Sequence, residues 1–134
     1  MSIKLSTDEI RTVAIFEQIT GVGVKDCILN GEDAYFLIEP NKTGLVIGKN
    51  GMIIKTVRNM LGKNIKVFEY ADTLEGMIRN MIPSAKNIVL NGDSVTVSVD
   101  AKDRSMVIGK GGKNIKIIKE FLYRHFKIRN LRLR

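Results

Sequence analysis

Val46-Ile47-Gly48-Lys49-Asn50-Gly51-Met52-Ile53-Ile54 and Val107-Ile108-Gly109-Lys110-Gly111-Gly112-Lys113-Asn114-Ile115 are two copies of one pattern, 61 positions apart. Each joins an apolar pair, a Gly-x-x-Gly loop with lysine in the first variable slot, and an apolar-periodic run. Two glycines spaced this way leave the backbone bare where a ligand must come close. Amides at the start of the following helix favour phosphate, and an ammonium at Lys49 or Lys110 neutralises a backbone phosphate without reading a base. The combination reads as a phosphate clamp, used twice.

Outward from the loops the repetition continues. Val24 to Tyr70 aligns with Ala85 to Leu131 without a gap, and thirteen of 47 positions are identical. The identities fall on Leu29-Asn30-Gly31 with Leu90-Asn91-Gly92, on the loops, and on Ile54-Lys55 with Ile115-Lys116. Turns and core are therefore kept, and one fold is used twice.

The spacing predicts the same elements in each half. Ser6-Thr7-Asp8-Glu9 has capping-box spacing before a helix with Ile10, Val13 and Ala14 on its apolar face, ended by Gly21 and Gly23. Asp72-Thr73-Leu74-Glu75 repeats that logic before Leu74, Met77, Ile78, Met81 and Ile82, and Pro83 stops the run. Strands are predicted at 26–29 and 34–38 around Asn30-Gly31, and at 87–90 and 95–99 around Asn91-Gly92. A short helix then enters each glycine loop. The long helices behind them carry stripes of Ile53, Ile54, Val57, Met60 and Leu61, and of Ile115, Ile118, Phe121 and Leu122. Strands at 65–68 and 128–133 close the halves.

Composition narrows the function. Hydrophobic residues at 44% are enough for a packed core, and no apolar run reaches the roughly 18 residues of a membrane span; a cytoplasmic protein is expected. Cys27 and His125 are the only residues of their types, so an internal disulfide and a Cys/His zinc cage are excluded by counting. Net charge is +8: nine basic residues balance nine acidic ones up to Leu74, while Glu75 to Arg134 holds thirteen against five. That excess suggests a polyanionic partner or an anionic surface.

Rival glycine motifs fail residue by residue. A Walker A loop needs four residues between its glycines and then Lys-Ser/Thr, but Gly44 precedes Gly48 by one residue too few and Asn50 follows Lys49. Val107 stands where the second copy would need glycine. Acidic residues are scattered singly or as the neighbours Asp8-Glu9 and Glu32-Asp33, without metal spacing. No catalytic residue, metal ligand or cofactor is assigned.

On these loops the chain resembles the KH family, whose GXXG loop clamps the backbone of four nucleotides. A helix and a strand placed ahead of the loop resemble the type II arrangement. The resemblance implies an α/β (α+β) fold of two tandem type II KH domains, residues 1–71 and 72–134, each a three-stranded mixed sheet with helices packed on one face. Over nearly the whole chain the likeness is to the NusA-like family of archaea, which implies transcription elongation and termination. Single-stranded RNA, the nascent transcript, is the implied ligand and RNA polymerase the implied protein partner. A monomer is expected. A ribosomal or ribosome-assembly role is the alternative use of the same clamps.

Carried over by residue, the clamps are Gly48, Lys49, Asn50, Gly51 and Gly109, Lys110, Gly111, Gly112. Ile47 and Ile108 floor the grooves, and Lys55, Arg58, Lys113, Lys116 and Lys119 line a phosphate track. Lys116 with Glu120 is equally a plain surface pair. Aromatic residues total 6% and none flanks a loop closely, so base recognition rests on apolar packing and hydrogen bonding.

Overall fold

Ser6 and Glu9 start the first helix by exchanging hydrogen bonds. Glu9 N–H donates to Ser6 Oγ at 3.2 Å, and Ser6 N–H donates to Glu9 Oε1 at 2.8 Å. Helix α1 (Thr7–Thr20) then runs to Gly21, whose φ of 70° closes it in the left-handed conformation that glycine takes without strain. The computed structural model describes residues 4–134 and divides after Tyr70 into two units.

In the first unit α1 is followed by β1 (Val24–Asn30), β2 (Asp33–Ile38), α2 (Thr43–Ile47), α3 (Met52–Leu61) and β3 (Asn64–Glu69). β1 pairs antiparallel with β2, and β2 pairs parallel with β3. Ala34, Phe36 and Ile38 on one face of β2 enter a core with Phe16 of α1, Val46 of α2, and Ile54 and Val57 of α3. Phe16 stacks on Phe36 with ring centroids 4.1 Å apart. Tyr35 and Leu37, on the other face, are buried too, as the unbroken apolar run 34–38 allows.

The second unit holds α4 (Leu74–Met81), β4 (Asn87–Asn91), β5 (Ser94–Ser98), α5 (Ala101–Ile108), α6 (Lys113–Phe126) and β6 (Asn130–Leu133). Its sheet has the same order and the same mixed pairing. Val95 and Val97 are buried while Thr96 and Ser98 are half-exposed, which matches the alternation of the sequence. Met77, Ile78, Met81, Ile118, Phe121 and Leu122 supply the helical side of the core.

Several expectations need correction. Ile10 is 57% exposed and Ala14 is exposed, because α1 turns Thr12, Phe16 and Thr20 inward. Thr20 is accommodated because its hydroxyl donates to the Phe16 carbonyl at 2.8 Å. Met60 is 65% exposed, Ile53 and Ile115 are half-buried, and Ile117 joins the core unforeseen. Thr73, rather than an Asp72 box, caps α4: its hydroxyl accepts from Gly76 N–H at 3.1 Å. In both hairpins the asparagine ends the strand, and only Gly31 (φ 61°) and Gly92 (φ 64°) take positive φ.

The gapless repeat also breaks. Gly62 (φ 63°) ends α3 after ten residues, but Tyr123 occupies the matching place in α6, which continues to fourteen. β6 therefore begins at Asn130, five residues later than the constant offset from Asn64 predicts, with Ile128 buried ahead of it.

Candidate nucleic-acid interface

Both loops adopt the same backbone. Gly48 has φ 75° and ψ 176°, and Gly109 has 79° and 168°, a region open essentially to glycine alone. The next positive values fall on Asn50 (φ 57°) and Gly111 (φ 64°), then on Gly51 (φ 71°) and Gly112 (φ 78°). A single tight turn, closed by Gly51 N–H to Gly48 O at 3.2 Å and Gly112 N–H to Gly109 O at 3.0 Å, carries each lysine between two helices.

The two glycines of each loop do different work. A Cβ at Gly48 would lie 2.6 Å from Ile53 Cγ1, and one at Gly109 would lie 2.8 Å from Asn114 N, so the first glycine lets the loop lie against the next helix. Around Gly51 and Gly112 nothing stands within 4 Å of such an atom. The second glycine is thus the open one, at the N-terminal end of α3 or α6. Neither helix has a side-chain cap there, so first-turn amides face a site with no carboxylate of their own.

Lys49, Asn50, Lys110 and Gly111 are exposed at the loop tips. Ile47 is 40% exposed at the end of α2, and Ile108 is half-buried at the end of α5. Lys55 and Lys116 lie one turn along the following helices and are exposed. Arg58 and Lys119 lie about 9 Å along the helix from Met52 and Lys113, respectively. Arg58 also lines a hollow of about 280 Å³ with Glu32, Gly62, Lys63 and Asn64. Exposed Lys113 directly follows the second open glycine. Glu120 pairs with Arg124 at 3.0 Å, and Lys116 makes no ion pair among the described residues.

The helices entering the loops add residues that the search for identities passes over. Leu45 is 54% exposed and Met106, its equivalent, 80%. Lys102 and Arg104 are exposed on α5; their equivalents, Asn41 and Thr43, are held instead by Glu69. That carboxylate accepts from Thr43 Oγ1 at 2.5 Å, Asn41 N–H at 3.1 Å and Thr43 N–H at 3.3 Å. The Thr43 hydroxyl, helped by the two amides, keeps the Glu69 carboxyl below its usual range against the opposite push of burial. A preference for mismatched residues over matched ones would have found these positions.

Among the described residues no helix is long and apolar enough to cross a membrane, and no group of three or more His, Cys, Asp or Glu could hold a metal ion.

A KH domain family model matches residues 9–79. A protein of Methanocaldococcus jannaschii named "Probable transcription termination protein NusA" is 33% identical over 98% of this chain and 75% of its own length. One of the same name from Halococcus morrhuae is 29% identical over 99% of each chain. Among solved structures, the crystal structure of APE1850 superposes with a TM-score of 0.80 at 33% identity, covering 97% of this chain and all of that one. The chain belongs to the KH-domain family, among the archaeal NusA-like proteins.

Proposed function

We propose that this protein is a single-stranded RNA-binding factor of transcription elongation and termination, gripping the nascent strand at Gly48–Gly51 and Gly109–Gly112. The observation that carries this reading is the open second glycine, found twice in one backbone conformation with an exposed lysine two residues before it. A nucleic-acid backbone can approach Gly51 or Gly112 without meeting a side chain. Uncapped helix amides and the ammonium of Lys49 or Lys110 then supply the positive potential for its phosphates. Leu45 with Ile47, and Met106 with Ile108, offer apolar surface for the bases beside each loop.

Parallel pairing of the last two strands, with the extra helix and strand ahead of the loop, supports two KH domains of type II, residues 1–71 and 72–134. Lys55, Lys113 and Lys116 extend the phosphate track, and Arg58 and Lys119 are its outer members. Both clamps reside in one chain, so a monomer suffices. RNA polymerase is the protein partner that the relatives' name suggests. Holding RNA in this way requires no bond making or breaking.

The test is a variant with Asp at Lys49, Asn50, Lys110 and Gly111. Asn50 shows that a short polar side chain fits the backbone conformation shared with Gly111. The expected result is a preserved melting transition with loss of single-stranded RNA binding, because carboxylates at all four tips repel phosphate. Unchanged affinity would remove the clamps from the account.

A further inference from the structure

The residues on either side of the open glycine differ between the loops. In the first, Gly51 lies between Asn50 and Met52; in the second, Gly112 lies between Gly111 and Lys113. The backbone is not the reason, since Asn50 and Gly111 share nearly the same left-handed φ, 57° and 64°. The second loop shows that this conformation needs no side chain at that point. Asn50 is exposed, and Met52 is 66% exposed on the first turn of α3.

We infer that the first loop selects which RNA bases are bound, through Asn50 and Met52, while the second grips any RNA backbone. This rests on the RNA-binding reading above. An amide carries both a donor and an acceptor, which can pair with the edge of an unstacked base. A thioether side chain is polarizable, adapts its shape and packs on a base face without charge. Gly-Gly-Lys, by contrast, presents bare backbone and an ammonium, which meet phosphate and carry no sequence information. Glu69 beside α2 further weakens the purely electrostatic pull of the first unit.

Exchanging the flanking residues tests the assignment. N50G/M52K gives the first loop the flanks of the second, and G111N/K113M does the reverse; both place Asn or Gly where the other loop already holds it. Selection of bound sequences from a random single-stranded RNA pool, with affinities over a range of salt, is measured for parent and variants. The parent should prefer particular sequences. N50G/M52K should lower that preference about ten-fold, the scale of one lost apolar or hydrogen-bonded contact. It should also steepen the log–log salt slope by about 0.7. G111N/K113M should keep the parent's preference and flatten the slope by about 0.7. A preference unchanged in N50G/M52K, one lost in G111N/K113M instead, or a parent that binds RNA with no preference would overturn the inference while leaving RNA binding intact. Failure of the parent to bind any RNA would overturn the functional reading itself.

Discussion

The first unit supports its loop with a hydrocarbon contact and the second with a backbone contact and an amide. Gly48 lies against the side chain of Ile53, whereas Gly109 lies against the backbone of Asn114, whose Nδ2 donates to the Val107 carbonyl at 2.9 Å. The loops nevertheless share their positive φ values: 75° and 79° at the first glycine, 57° and 64° at Asn50 and Gly111, and 71° and 78° at the second glycine. One loop backbone can therefore rest on two different kinds of support. The difference also separates what the loops share, a place for a phosphodiester strand, from what each adds.

Replacing the first glycine of each loop breaks the comparison most strongly. Gly48→Ala and Gly109→Ala should each cost about 2–4 kcal/mol, from φ strain plus overlap. Gly109→Ala should be the worse, because its new methyl meets backbone atoms and the Cβ of Asn114, whereas rotation of Ile53 relieves part of the overlap at Gly48. Denaturant unfolding of both variants checks the order. Asn114→Ala should cost about 1 kcal/mol through the lost bond to Val107, with chemical-shift changes confined to the second unit.

Helix ends give a smaller contrast of opposite sign. Gly62 closes α3 and Lys127 (φ 59°) closes α6, both in the left-handed conformation. Lys127→Gly should stabilise the protein by about 0.5 kcal/mol, and Gly62→Ala should destabilise it by about 1 kcal/mol. Thermal melting distinguishes the two signs.

The smallest effect concerns acid. Glu69 has its carboxyl held below the ordinary value of 4.5, so the stability it contributes is present above that value and lost as pH falls through the lowered one. Protection of the Thr43 and Leu45 amides, measured against intrinsic exchange at each pH, should fall over that acid range in the parent. In Glu69→Gln the protection should already be lower at neutral pH and should change less on acidification. The second unit lacks this clasp, so equal acid sensitivity at Arg104 and Met106 would contradict the comparison.

The loops and the strands beside them were legible in sequence because Gly-x-x-Gly, Asn-Gly and Val-x-Val-x-Val act through local backbone rules. Where tertiary packing decides, the pattern misled. Ile10 fits a helical stripe yet faces outward, since the ring of Phe16 fixes which side of α1 meets Phe36. The length of α6 was hidden because one missing glycine, at Tyr123, lets a helix run on while the residues ahead of it keep a constant offset. Leu45, Met52, Met106, Lys102 and Arg104 were missed at the site because a search for shared residues discards the positions at which the copies differ.

Whether both loops hold single-stranded RNA is read from backbone amide chemical shifts followed during an RNA titration. Amides of Gly48 to Gly51 and Gly109 to Gly112 should move together with the first turns of α3 and α6, and the shifts should shrink as salt rises. Saturable binding with both loops silent, and shifts confined to other surfaces, would contradict RNA binding at the loops.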